Sequence, residues 1–267
     1  MTYDANAYWG RDGLERRILD ALAAAEKAVD ALTIDDLAPA DQFHSGGKPS
    51  TVRLARLAGL RPGMRVLDVG GGLGGPARTL AAEFGCQVTV VDPTESYVRT
   101  GEALTARVRL KDRVTHRLGN ALALDVGRGT FDVLWTQNSG MNIADKEALY
   151  AAFARVLRQG GLLAMQEPMA GPVQPPIFPV MWAPDATTSF LRAPAEMRAV
   201  IEAAGFRVSV WDDVTAELAG PSTGAVVPAH AIQRIVMGDA VDEITRAGQR
   251  NRDEGRIVMT QAVLVRA

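Results

Sequence analysis

Arg65-Val66-Leu67-Asp68-Val69-Gly70-Gly71-Gly72-Leu73-Gly74-Gly75-Pro76 is the stretch on which the reading of this chain turns. Val66 to Val69 is a short, mostly apolar run, the pattern of a buried strand. It stops at residues 70–75, where five of six positions are glycine. Pro76 restarts the chain as a helix, because its fixed φ suits a first helical turn. Glycine brings no side chain between backbone and ligand. The helix that follows aims roughly half a positive charge at whatever the turn holds. The stretch therefore predicts a cradle for the polar part of a cofactor.

Working outward, strand and helix patterns alternate from residue 64. The spacing predicts strands at Arg65–Val69, at Gln87–Val91 (ending in Asp92), Val114–Leu118, Phe131–Trp135, Leu162–Gln166, Arg207–Trp211 and Ile257–Val265. Helices are expected from Pro76, with Ala77, Leu80, Ala81 and Phe84 on one face, and after a Thr94 cap. Others are expected after an Asp145 cap, stopping near Gly160-Gly161, and over Pro194–Ala204. Strands apolar on both faces and separated by helices indicate an α/β fold with a parallel sheet covered on both sides. Before this core, residues 12–33 show helical spacing, Asp41 to Pro49 reads as a polar loop, and Ser50–Leu60 reads as a further helix.

Residues 1–60 are thus expected to form an N-terminal helical or lid segment, and 61–267 the core. Two insertions interrupt the core, at about 168–190 and 215–250. The first holds Pro168, Pro172, Pro175, Pro176, Pro179 and Pro184, which argues against a central strand or a helix interior. The second holds a predicted helix from Pro228 to Ala247.

Composition narrows the function. The chain has 267 residues, 47% hydrophobic and 22% charged, with net charge −2. Such a balance gives no electrostatic grip on nucleic acid or on an acidic membrane, and no apolar run approaches the ~20 residues of a span. The N-terminus lacks a signal-peptide pattern. Cys86 is the one cysteine, so no disulfide framework or cysteine metal cluster is expected, and a reducing, cytoplasmic setting fits.

Two cofactors fit the turn. Gly70, Gly72 and Gly75, with Asp92 roughly 20 residues further on, satisfy the dinucleotide fingerprint. Asp68, Gly70, Gly72 and Gly74 satisfy the acid-x-Gly-x-Gly-x-Gly loop of S-adenosylmethionine (SAM) sites. Asp92 would accept ribose hydroxyls in both. Three features favour SAM. Asp68 stands where an anionic pyrophosphate would want an apolar residue, whereas SAM presents an ammonium and a sulfonium. Gly119-Asn120-Ala121 ends the third strand where an adenine contact is needed. The sheet closes with a lone long strand instead of a second nucleotide-binding half. The rivals are an NAD(P)-dependent oxidoreductase, which the acid at Asp68 opposes, and a non-catalytic SAM-binding protein, which leaves the loop insertions unexplained.

On these residues the chain resembles the class I SAM-dependent methyltransferases over roughly residues 60–267. It is most similar to the small-molecule branch of sarcosine/dimethylglycine-type N-methyltransferases and ubiquinone- and sterol-type C-methyltransferases. The likeness is carried by Val66 to Gly75, Val91-Asp92-Pro93-Thr94, Phe131-Asp132-Val133 and Arg155 to Gly161. Asp41-Gln42-Phe43-His44-Ser45-Gly46-Gly47 resembles the loop before the core in that branch. The resemblance implies a Rossmann-like, seven-stranded, mostly parallel sheet with an antiparallel last strand. It implies methyl transfer from SAM, leaving S-adenosylhomocysteine (SAH), to a small organic acceptor at N, O or C. A homodimer is compatible with it.

The cofactor residues so implied are Gln42, Asp68, Gly70, Gly72, Gly74, Asp92, Pro93, Asn120, Ala121 and Gln137. His44 is the candidate base, since an unperturbed imidazole titrates near ~6.5. Tyr8 and Trp9 are expected to fold over the site. Asn138, Met141, Glu167, Met169, Met181, Trp182 and His230 are expected to line the acceptor pocket. No metal site is expected. The family's usual Asp is Asn120 here, its frequent Pro is Gln159, and its histidines after the fourth strand are replaced by Gln137 to Asn142.

Overall fold

The computed structural model describes residues 5–218 and 227–267. Four helices come first: α1 (Ala5–Trp9), α2 (Leu14–Ala24), α3 (Ile34–Asp41) and α4 (Gly47–Leu57). The alternating core follows as β1 (Arg65–Val69), α5 (Gly75–Phe84), β2 (Gln87–Asp92), α6 (Glu95–Arg107), β3 (Val114–Leu118), β4 (Phe131–Gln137), α7 (Lys146–Val156) and β5 (Leu157–Ala170). It closes with α8 (Pro194–Ala203), β6 (Phe206–Asp213), α9 (Ile232–Met237), α10 (Ala240–Asp253) and β7 (Ile257–Arg266).

The strands form one sheet in the order β3-β2-β1-β4-β5-β7-β6. Neighbours from β3 to β5 pair in parallel, while β7 runs antiparallel to both β5 and β6. The mostly parallel sheet with an antiparallel last strand is therefore as expected. Its order reverses at β1, whose neighbours β2 and β4 lead away in opposite directions. That switch point is where open α/β sheets bind ligands, at the carboxyl ends of the strands.

The pleat divides the core in two. Leu67, Val69, Leu134, Leu163 and Met165 face α7 and α8, where Leu149, Phe153, Met197 and Ile201 meet them. Val66, Val88, Val90, Val133 and Trp135 face the other way, onto Leu54 and Ala55 of α4 and Ala77, Leu80 and Ala81 of α5. So α4, within the N-terminal segment, lies in the sheet's own helical layer. A third cluster joins α2 and α3 to Leu73, Leu104 and α9.

Several local expectations are corrected. The helix through 12–33 ends at Ala24, where Glu26 turns left-handed at φ 60°. A separate α3 follows, started by a capping box between Thr33 and Asp36 that the helical spacing passed over. Thr94 precedes α6, but its side chain makes no capping bond. Asp145 does cap α7, accepting Ala148 N–H at 2.8 Å. That helix stops at Val156, before Gly160, and β5 begins at once, with a register shift against β4 between Phe131 and Val133. β5 also runs through Pro168. β4 ends opposite Gln166, so beyond that point β5 is paired with β7 only, and a proline without an N–H is tolerated there. The helix from Pro228 to Ala247 is two helices, α9 and α10, broken at Gly238. Part of the second insertion, residues 219–226, lies outside the described residues.

Candidate active site

The glycine turn is built by two backbone–backbone bonds and one bond to a carboxylate. Gly70 N donates to Val91 O at 2.8 Å, Gly74 N to Gly71 O at 2.8 Å, and Gly72 N to Asp92 Oδ2 at 2.9 Å. Gly70 has φ 71°, and a Cβ there would stand 2.3 Å from Ser139 Cβ. The glycine at 70 is thus required by the protein's own packing. Gly72 differs, because at φ 55° a Cβ would find only Tyr97, at 3.7 Å. Gly72 is where the turn stays open to a close-approaching ligand. Behind the turn, His116 presses on Gly74, and the Asp41 carbonyl presses on Gly75. Asp41 is held there by a buried ion pair to Arg78 at 2.8 Å, which the sequence reading missed.

Asp68 and Asp92 flank this turn, both buried. Asp92 Oδ1 accepts Thr94 N–H at 2.8 Å, while Oδ2 holds Gly72. Burial raises its carboxyl above the ordinary range, against those two bonds. Asp92 therefore shapes the turn through the Gly72 and Thr94 amides. Asp68 Oδ2 is buried with no partner among the described residues. Burial, with the Asp92 charge adding, pushes the Asp68 carboxyl up to about 8. A buried, unsatisfied carboxyl oxygen is costly. A ligand that brings a cation or an N–H donor would satisfy it. The residues present thus fit SAM.

The remaining cofactor candidates divide. Asn120 is exposed, and its Oδ1 caps Leu122 N at 2.9 Å, with Ala121 half-buried beside it. The carbonyl end of Asn120 is committed to the turn, and its amide NH2 is the group left to offer an adenine. Pro93 O accepts Asn6 Nδ2 at 3.0 Å, and Asn6 Oδ1 accepts Glu95 N at 2.9 Å, so α1 is tied to the end of β2. Gln42 and Gln137 come together around Thr51, whose hydroxyl lies 3.2 Å from Gln42 Oε1, 3.1 Å from Gln137 Oε1 and 3.1 Å from His44 Nε2. Gln42 also donates to Thr79 on α5 at 3.1 Å, and Trp135 Nε1 donates to Gln137 at 3.0 Å. Thr51 was missed because a threonine inside a predicted helix carries no local signal of a hub.

His44 sits inside that network, with Nδ1 3.1 Å from Ser45 O and Nε2 2.9 Å from Gln42 Oε1. Burial pulls its imidazole down to about 4. The ring is therefore neutral at neutral pH and a weak proton acceptor. Its bonds hold the 42–47 loop against the end of β4.

The acceptor candidates meet on one side of the connection after β4. Met141, Val180, Trp182, Ala183 and Ile257 form an apolar cluster, with Trp9 and Met181 packed against it. Tyr8 Oη donates to Met181 O at 3.3 Å, and Trp9 stacks edge-on with Tyr8 at 4.7 Å and with Phe43 at 5.4 Å. Asn142 Nδ2 donates to Trp182 O at 2.9 Å and Thr188 O at 2.7 Å, binding the proline-rich insertion to the same connection. Asn138, left-handed at φ 53°, accepts from Gln166 Nε2 at 3.1 Å, and the same amide donates to Ser45 O at 2.9 Å.

Two candidates lie apart. Met169 packs in the core on the α7/α8 face. His230 is half-buried in the turn before α9, a helix that packs on α2 and α3. Glu167 is buried, with Oε1 accepting Ser139 N–H at 3.2 Å and Gly140 N–H at 3.0 Å, while Oε2 has no partner among the described residues. A cavity of about 10 Å³, room for one water, lies beside it among Lys146, Tyr150, Met169 and Phe190. No cluster of three or more metal-ligating side chains occurs among the described residues, and none of their helices is long and apolar enough to cross a membrane.

Comparison with known proteins agrees with this geometry. Residues 66–161 match the family model described as a methyltransferase domain. The methyltransferase GfsG of Streptomyces halstedii is 26% identical over 85% of this chain and 86% of its own length. The sterol 24-C-methyltransferase of Eremothecium gossypii is 33% identical over 43% of this chain, and that match spans 31% of the relative's length. The geranyl diphosphate C-methyltransferase of Streptomyces coelicolor A3(2), solved with its substrate and SAH, superposes with TM-score 0.68 at 17% identity, covering 96% of this chain and 98% of that one. At that identity the likeness shows the fold alone. With the glycine turn, the two acids and the strand order already in place, the domain match completes the identification: this chain carries a SAM-dependent methyltransferase domain of the class I fold.

Proposed function

We propose that this protein transfers the methyl group of SAM to a small, largely apolar organic acceptor, in the cytoplasm. The observation that carries the reading is the buried, unpartnered Asp68 Oδ2 beside a glycine turn that remains open at Gly72. SAM supplies a methyl group on an already activated sulfonium. What remains for the protein is alignment and exclusion of water. Gly72, Asp68 and Asp92 would hold the donor's polar end, and Asn120 with Ala121 its adenine. Gln42 and Gln137, locked together through Thr51, would wall the donor on the side of the N-terminal loop.

The aromatic and thioether walls of Trp9, Met141, Met181 and Trp182 support an apolar acceptor. α1 and the 178–191 segment support a lid, since both pack over the connection that follows β4. The acceptor's proton, where it has one to lose, is not well served by a His44 imidazole near 4. Glu167 Oε2, unpartnered among the described residues, could take up that proton only through the one water that its small cavity has room for.

Calorimetry with SAM, SAH and NAD tests the reading. SAM and SAH should bind and NAD should not. Binding of NAD without SAH would favour the oxidoreductase and refute it.

A further inference from the structure

Lys146, the first residue of α7, is 3% exposed, and so is Glu167 on β5. The two grip a single residue, Gly140, from opposite ends. Lys146 Nζ donates to Gly140 O at 2.6 Å, and Gly140 N donates to Glu167 Oε1 at 3.0 Å. A Cβ at Gly140 would stand 3.3 Å from the Glu167 carboxyl, so the glycine lets the carboxylate close on the backbone.

The residue before it, Ser139, is the back wall of the glycine turn. Ser139 donates its hydroxyl to Val69 O at 3.2 Å, and its Cβ occupies the space a side chain at Gly70 would need. On the other side, Met141 O accepts Phe190 N–H at 2.9 Å, which ties the same backbone to the proline-rich insertion. Two buried charges of opposite sign, each bonded to backbone and not to one another, are weak evidence for stability, because desolvation offsets their attraction and neutral packing often serves as well. Charge-assisted bonds do fix geometry more firmly than neutral ones. The cost is therefore explained by placement of the backbone, and stability alone does not require it.

We infer that Lys146 and Glu167 are positioning residues, which hold the backbone of Gly140 and, through the adjoining Ser139, set the cofactor turn for binding. The inference rests on the SAM reading above. It is tested by calorimetric SAH binding and thermal midpoints for the wild type, Lys146→Met, Glu167→Gln and the double variant. Ile201→Val, a core change on α8, serves as a control that lowers stability alone.

Each single variant leaves one buried charge uncompensated and should lose thermal stability. The double variant, neutral on both sides, should regain most of it. SAH affinity should fall about tenfold in Lys146→Met, the effect of one charge-assisted bond. The double variant should keep that loss, and Ile201→Val should bind as the wild type does. Recovery of affinity together with stability in the double variant would mean a merely structural pair and overturn the inference. A wild type that fails to bind SAH would overturn the cofactor reading, and this inference with it.

Discussion

Replacing Asp68 by Asn should make the ligand-free protein more stable, by an amount that grows with pH. Asp68 is buried, one of its oxygens has no partner, and its carboxyl is pushed up to about 8 from an ordinary 3.8 by burial and by Asp92. In the unfolded chain it is ionised above pH ~4. Folding at neutral pH therefore takes up a proton, and stability falls as pH rises from about 4 to about 8. Each pH unit in that window is worth about 1.4 kcal/mol, so the wild type carries a penalty of about 4 kcal/mol at pH 7 and about 6 kcal/mol above pH 8. Asn keeps the shape and cannot ionise. Its advantage in urea unfolding should be small near pH 5, about 4 kcal/mol near pH 7 and level above about pH 8. A difference between variant and wild type that does not change over this range would refute the assignment. The same proton should leave when a cationic cofactor settles beside Asp68. Calorimetry of SAH binding in two buffers of different ionisation heat should show proton release below pH ~8 in the wild type and none in Asp68→Asn.

Three further outcomes are expected. Asp92→Ala removes an acceptor for the Gly72 and Thr94 amides as well as the proposed ribose contacts. SAH affinity measured by calorimetry should fall roughly 100-fold, about 3 kcal/mol, and unchanged affinity would exclude Asp92 from the site. His44→Gln should leave the pH dependence of SAH binding unchanged between about pH 6 and 8, because an imidazole near 4 is neutral throughout. Loss of a titration step near pH ~6.5 would show that the imidazole ionises there after all. Gly70→Ala should cost more than the ~1–2 kcal/mol of a left-handed alanine, because its Cβ would also meet Ser139 at 2.3 Å. Adding Ser139→Gly should return the steric part and leave the backbone part, read from urea midpoints.

The seven strands were legible in the sequence because most of them hold an apolar run between helix signals. Element ends were less so. Val156 and Leu157 look like one helical stripe, yet β5 starts between them, because pairing with β4 outweighs a local preference. Pro168 looked incompatible with a central strand, and only the early end of β4 makes room for it. The capping box at Thr33 and Asp36 was available in the letters and was hidden by the alanine-rich spacing around it. Lys146 follows a helix cap and reads as a solvated first-turn residue. Nothing local marks it as buried, since its partners lie at Gly140 and on β5.

By itself, the sequence determined the methyl donor. Asp68, the glycine turn and Asp92 lie within 25 residues, where chain connectivity forces them together once β1 and β2 pair. What surrounds the donor was decided only in three dimensions. Gln42 meets Gln137 through Thr51, Trp9 packs with Met181 against one apolar cluster, and Glu167 and Lys146 converge on Gly140, across separations set by the sheet order and by the return of the proline-rich insertion. Burial then decides the charge states. The same packing that turns His44 into a neutral wall keeps a proton on Asp68, and neither outcome follows from residue type, because both depend on how much water the finished fold excludes.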